Sequence, residues 1–241
     1  MSGTLYIVAT PIGNLEDLSA RLVETLKRVE IVAAEDTRRS MKLLQHLNLK
    51  KRMIRCDEAR EESAGREILR SLADGLSVAM LSDAGTPAIA DPGGRLVAAV
   101  VRENHNVVPI PGPSAVTTAL SASGFKAVPF TFFGFLPKKG MERRSILGEI
   151  ATGWKTSVFF ESPFRIQKTL RILAEMEPDR PAIVARELTK MHETIERGSL
   201  SLLADRIGSK NPKGEFTVVV APPDKREART RRKTSVREGE E

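Results

Sequence analysis

Along the first 110 residues, apolar positions alternate between a short strand period and a helical one. Leu5 to Ala9 is a compact apolar run that predicts a strand, and Leu18, Leu22, Leu26 and Val29 then recur at helical spacing behind a capping residue, Asp17. Ile31 to Ala34 predicts a second strand, residues 38–47 a helix, Met53 to Cys56 a short strand, 61–74 a helix, and Leu76 to Leu81 a strongly apolar strand buried on both faces. A helix over 93–104 and a strand over Val107 to Ile110 complete the series. This alternation predicts a parallel-rich sheet covered by helices, with ligands expected at the C-terminal strand ends.

After a helix over 114–123 the texture changes. FTFFGF (130–135), TSVFFE (156–161), AIVARE (182–187) and EFTVVVA (215–221) predict further strands with helices between them, and HETIERG (192–198) suits an antiparallel partner, so this second sheet is expected to be mixed. The change places a domain boundary near 116–126, which divides the chain into 1–118, 119–222 and a tail, 223–241.

Composition narrows the partners. Of the 241 residues 41% are apolar, enough for one large core or two smaller ones, and the net charge is +7, suited to a polyanionic partner. Residues 225–241 hold seven basic side chains against four acids and lack apolar periodicity, which predicts disorder: either a solvated end or an arm that grips RNA. The one cysteine, Cys56, excludes an intramolecular disulfide, and His46, His105 and His192 lack metal-ligand spacing, so no metal is expected. Without a leader-like start or a membrane-length apolar stretch, the chain is expected to be cytoplasmic and free of the membrane.

Among the seventeen glycines there is no G-x-G and no P-loop arrangement, which argues against dinucleotide oxidoreductases and P-loop NTPases. The unusual loops are TPIGN (10–14), SDAGTPAIADPGG (82–94) and PGPSA (111–115), each behind an expected strand. Glycine lets backbone approach a ligand, and proline holds a loop in shape before binding. Asp83, at the tip of an apolar strand, suits either the ammonium or ribose hydroxyls of a ligand or the cap of a helix.

LYIVATPIGNLEDLS, AAEDTR, SDAGTPAIADPG, PIPGPSA, GFLPKK, ESPFR, ARELTK and GEFTVVV, in this order over residues 4–221, resemble the motif set of the ribosomal RNA small-subunit methyltransferase I family of tetrapyrrole methylases. The resemblance implies a tetrapyrrole methylase-like fold of two α/β domains, a homodimer, and S-adenosylmethionine held in a cleft between the domains. It assigns the cofactor pocket to Pro11, Asp83, Gly85, Thr86, Ser114 and Ala115, and the substrate to a cytidine 2′-hydroxyl of 16S ribosomal RNA in the small subunit, in the decoding region. Two departures stand out: family members usually read ESPHR where this chain has Phe164, so a histidine base there is excluded, and longer members continue into a small helical module where this chain has the basic tail.

The acceptor side is expected at EDTR (35–38), ESPFR (161–165) and RELTK (186–190), which set acids beside arginines at strand ends; structural ion pairing is the competing reading. Arg38, Arg165 and Arg186 suit phosphate, and Lys138, Lys139, Arg143 and Arg144 follow Phe132, Phe133 and Phe135 in an aromatic and basic run suited to RNA, although such phenylalanines also serve as core. Methyl transfer from a sulfonium is an in-line displacement helped by alignment and desolvation, and needs no metal. A base or nearby cation must assist the hydroxyl, and Glu35, Asp36, Glu161, Glu187 and Lys190 form the candidate pool, the last if burial or Arg186 lowers its pKa. Competing readings are a corrinoid-precursor or diphthine-type methyltransferase of the same fold, and a noncatalytic RNA-binding or assembly protein.

Overall fold

The computed structural model describes residues 2–208 and 213–223; the basic stretch 225–241 lies outside the described residues. The chain forms two compact units, Met1–Ser114 and the part beginning at Ala115.

In the first unit, β1 (Thr4–Val8), β2 (Ile31–Ala34), β3 (Arg52–Arg55), β4 (Val78–Leu81) and β5 (Asn106–Ile110) form one sheet in the order β3-β2-β4-β1-β5, and every pair is parallel. β2 and β4 are buried at every residue, as strands covered on both faces must be. On one face, Leu22 and Leu26 of α1 (Ala20–Arg28) and Leu43 and Leu44 of α2 (Thr37–His46) pack with Val8, Val32, Ala79 and Leu81. On the other, Ile68 and Leu72 of α3 (Glu61–Ala73) and Leu96 and Val100 of α4 (Gly94–Arg102) pack with Leu5, Ile31, Val78 and Met80. Each fully buried Leu or Val contributes about 1.5–3 kcal/mol.

This order creates a switch point. β1 and β4 are neighbours, yet β1 leads to α1 on one face and β4 to α4 on the other, which makes their C-terminal ends the topological switch point, where such sheets bind ligands. One local expectation fails. Asp17 lies in a short 3-10 turn, Leu15–Asp17, capped by Asn14; the cap of α1 is Ser19, whose hydroxyl accepts from the Leu22 N–H at 3.1 Å.

The second unit carries β6 (Phe130–Phe135), β7 (Thr156–Glu161), β8 (Pro181–Arg186), β9 (Thr194–Ser199) and β10 (Phe216–Val220) in the order β6-β7-β10-β8-β9. Only β6 and β7 are parallel, and β9 pairs antiparallel with β8, so the sheet is mixed as its pattern predicts. α6 (Met141–Thr152), α7 (Ile166–Met176) and α8 (Leu200–Gly208) pack on the face carrying Phe159, Ala182, Val184 and Val218. The boundary falls ahead of the expected 118/119 division because α5 (Ala115–Ser123) packs against β7, β8 and β10 and so belongs to the second sheet from its first residue. Among the described residues, no helix is long and apolar enough to cross a membrane.

Candidate functional site

In the first unit the three Gly/Pro loops converge. Thr10 and Gly85 pair at the switch point, with the Thr10 N–H donating to the Gly85 carbonyl at 2.8 Å and the Gly85 N–H returning the bond at 3.1 Å. The Thr10 and Ser82 hydroxyls add bonds to the same Gly85 carbonyl, at 3.4 and 3.2 Å. Gly85 has φ +81°, and a Cβ there would lie 3.5 Å from Ile12 and 3.8 Å from the Pro113 carbonyl, which brings the third loop to the same point. The need for glycine at 85 is therefore set by its backbone conformation, since the two contacts are at ordinary van der Waals distance. The third loop is seated closely too: a Cβ on Gly112 would be 3.0 Å from both the Cβ and the carbonyl oxygen of Ala9. Ala88, in the middle loop, also has a left-handed φ of 64°, costly for a residue with a Cβ.

Three carboxylates gather where β2 and β4 end. Asp83 accepts from the Asp36 N–H at 3.1 Å through one oxygen and meets Arg39 Nε at 3.4 Å through the other. Burial, then the Asp91 and Asp83 charges, push the Glu35 carboxyl up from its ordinary value. Burial also raises Asp91, where the Ser82 hydroxyl opposes the rise and the Asp83 charge adds to it. Asp36 behaves oppositely. Its carboxylate caps α2 by accepting from the Arg38 N–H at 2.9 Å and pairs with the Arg38 guanidinium at 3.0 and 2.7 Å, and these bonds hold it far below the usual carboxylate range. Such a group is a poor proton acceptor at neutral pH, which removes Asp36 from the base pool. Arg38 is exposed, with its guanidinium already on Asp36.

In the second unit the expected acceptor residues divide. Glu161 is 1% exposed and fully engaged: Oε1 accepts from Arg165 Nη2 at 2.7 Å and from the Ser162 N–H at 2.8 Å, while Oε2 meets Arg143 at 3.2 Å and the Thr169 hydroxyl at 2.7 Å. Arg143, placed by its sequence neighbours in a basic RNA-facing turn, is instead buried, with Nη1 on the Pro137 carbonyl and Nη2 on Thr169. Arg165 donates to the Leu136 carbonyl at 2.9 Å. Glu161 and Arg143 thus form a structural ion cluster, and neither is available as base or phosphate ligand; Lys138, Lys139 and Arg144 are the exposed basic side chains of the run.

RELTK forms a strained turn in which Glu187 and Thr189 have positive φ. Lys190 Nζ lies 2.9 Å from Glu187 and 3.0 Å from Glu215, and Glu187 also accepts from the Glu215 N–H. Burial opposes charge on both members, but these bonds prevail: the Lys190 pKa is raised and that of Glu187 lowered. The expected lowering of Lys190 is therefore reversed, because two carboxylates outweigh its partial burial. Arg186 donates to the Lys213 carbonyl at 2.6 Å.

Sequence reasoning missed Asp91, Arg39, Thr10 and Ser82 at the first-unit switch point, although Asp91 lies in the same motif as Asp83. It also missed Glu61, a buried carboxylate that caps α4 by accepting from the N–H groups of Gly93, Arg95 and Leu96. Cys56 is buried, and burial followed by Glu61 and Asp57 pushes its thiol up to about 11, so it is no nucleophile at neutral pH. Among the described residues, no group of His, Cys, Asp and Glu has the arrangement to hold a metal.

Comparison with known proteins agrees with this architecture. The family described as Tetrapyrrole (Corrin/Porphyrin) Methylases matches residues 4–204. "Ribosomal RNA small subunit methyltransferase I" of Thermotoga maritima is 45% identical over 91% of this chain and 98% of its own length; the protein of the same name from Bacillus subtilis is 41% identical over 90% and 75%. Among solved structures, the methyltransferase CobJ has a TM-score of 0.70 at 19% identity, covering 92% of this chain and 95% of that one. Diphthine synthase has a TM-score of 0.71 at 16% identity, covering 91% and 90%. These two likenesses speak for the fold alone, while the identity to the curated relatives runs through nearly the whole chain: it belongs to the tetrapyrrole (corrin/porphyrin) methylase family.

Proposed function

We propose that this protein transfers a methyl group from S-adenosylmethionine to the 2′-hydroxyl of a cytidine in the decoding region of small-subunit ribosomal RNA, acting as a cytoplasmic homodimer. The RNA reading is supported by identities of 41–46% over nine-tenths of the chain with proteins named for small-subunit ribosomal RNA methylation. The corrinoid-type and diphthine-type readings draw on solved structures below 20% identity, whose likeness carries no substrate.

The observation that carries the chemistry is the gathering of Glu35, Asp83 and Asp91 where β2 and β4 end, with Asp83 accepting from the Asp36 N–H and with burial and the neighbouring charges pushing Glu35 and Asp91 up. A concentration of negative charge there fits a sulfonium cofactor that also bears an ammonium group, and Pro11, Asp83, Gly85, Thr86, Ser114 and Ala115 are our assignment for holding it. Bound S-adenosylmethionine supplies an electrophilic methyl group. Glu35 receives the proton of the ribose hydroxyl: of the candidate pool it alone combines partial burial with a raised pKa and no cationic hydrogen-bond partner among the described residues. Exposed Arg38, Lys138, Lys139 and Arg144 supply phosphate contacts, with Arg165 holding the backbone ahead of Lys138 through the Leu136 carbonyl and Arg186 holding the Lys213 carbonyl. The test is incubation with labelled S-adenosylmethionine and undermethylated small subunits, followed by mapping of the label. Label on one cytidine 2′-oxygen is expected; label on a base would refute the hydroxyl chemistry, and no cofactor binding in calorimetry would favour a noncatalytic RNA-binding protein.

A further inference from the structure

Phe164 is 95% exposed, and nothing about its turn is loose. The Ser162 carbonyl accepts from the N–H groups of both Arg165 and Ile166 at 3.0 Å, the Ser162 N–H is held by Glu161 at 2.8 Å, and the Ser162 hydroxyl accepts from Arg165 Nε at 3.1 Å. A large aromatic ring is thus carried into solvent on a turn whose backbone is tied to a buried ion cluster.

The same cluster fixes a second aromatic and a basic loop. β6 and β7 are parallel neighbours, so the segments following them open at the same edge of the sheet. The register slips by one residue between Phe132 and Phe135, and Gly134 within the slip has φ +61°; such a bulge redirects the side chain that follows it. Phe135 is 60% exposed while one edge of it rests on Phe160, at 5.3 Å between ring centres. The next two carbonyls, of Leu136 and Pro137, are gripped by Arg165 and Arg143 at 2.9 Å. Lys138 and Lys139 follow at once, exposed and, among the described residues, in no ion pair, and Arg144 is exposed one turn into α6 beside the one acid of the segment, Glu142.

We propose that Phe164 and Phe135 form a stacking platform for an unpaired base of the RNA substrate, with Lys138 and Lys139 holding the adjoining phosphates. Aromatic rings beside cations are how proteins hold unpaired RNA: the rings take base faces with only two side-chain torsions to order, and the cations follow the backbone. A second protein surface would also cover exposed phenylalanine, but the net positive charge of the rim favours a polyanion. The inference rests on the RNA reading above.

Binding of a fluorescein-labelled single-stranded RNA and single-turnover methylation of undermethylated small subunits test it, with sedimentation velocity on each variant. Phe164→Ala is expected to weaken RNA binding by about tenfold or more while leaving the salt slope, S-adenosylmethionine affinity and oligomeric state unchanged, and Phe164→Tyr to restore binding. Lys138→Ala with Lys139→Ala is expected to flatten the salt slope. Wild-type RNA affinity in Phe164→Ala, with methylation intact, would overturn the platform and leave the methyltransferase reading standing. Altered self-association with unchanged RNA affinity would assign Phe164 to a protein interface and also overturn it. Absence of both RNA binding and methylation in the wild type would defeat the two readings together.

Discussion

Glu35 and Glu161 stand at similar places in the two sheets: Glu35 directly follows β2, Glu161 is the last residue of β7, and each has an arginine three or four residues on. Their environments are opposite. Arg165 and Arg143 both close on Glu161, whereas Arg38 turns to Asp36, and around Glu35 burial and the charges of Asp91 and Asp83 outweigh the Asp83 N–H and the charge of Arg39. The same local sequence logic therefore yields a structural anchor in one unit and a group of raised proton affinity in the other. Identity and spacing of an acid do not decide its role; the partners brought by distant segments do.

The sharpest way to break this contrast is to remove the anchor. Glu161→Ala leaves two arginines without their buried counter-charge and is expected to cost about 3–5 kcal/mol, read as a large fall in melting temperature and denaturant midpoint. An unchanged midpoint would deny Glu161 its structural role. Gly85→Val comes next, expected to cost on the order of 1–3 kcal/mol by forcing a β-branched residue into a left-handed conformation and straining the Thr10 pairing, with loss of S-adenosylmethionine affinity in calorimetry.

A smaller effect sharpens the other side. Because Glu35 and Asp91 have raised folded-state pKa values, the stability they contribute is full below their unfolded values of 4.5 and 3.8 and is lost as pH rises through the folded ones. Glu35→Gln is therefore expected to melt slightly higher than wild type at pH 7, and to lose that advantage at pH 4. A lower melting temperature at pH 7 would mean that the charge of Glu35 is compensated. Least of all is expected from the exposed pair: Arg38→Ala should leave the melting temperature near wild type, although its methylation rate should drop if the guanidinium leaves Asp36 for a phosphate.

Much of this was legible in the chain. The full burial of β4 follows from its unbroken apolar run, and the mixed second sheet follows from the pattern at HETIERG. The three Gly/Pro loops were legible because glycine and proline report directly on backbone shape. What was hidden depends on long-range partners. Arg143 reads like Arg144, yet Glu161 and Thr169, 18 and 26 residues away, bury one and leave the other in solvent. Lys190 suits a base only if Arg186 or burial lowers its pKa, whereas Glu215, from the residue just ahead of β10, and Glu187 raise it. The exposure of Phe135 depends on a one-residue slip in register that no periodicity announces.

The central claim, that Glu35 takes the proton, is tested most directly by the pH profile of single-turnover methylation in wild type and Glu35→Gln at saturating S-adenosylmethionine. The account predicts a wild-type rate that falls toward acid as Glu35 is protonated, with a midpoint above that of an ordinary glutamate, and a variant about a hundredfold slower or more whose profile lacks that acid limb. A variant that keeps both the wild-type rate and the acid limb would contradict it.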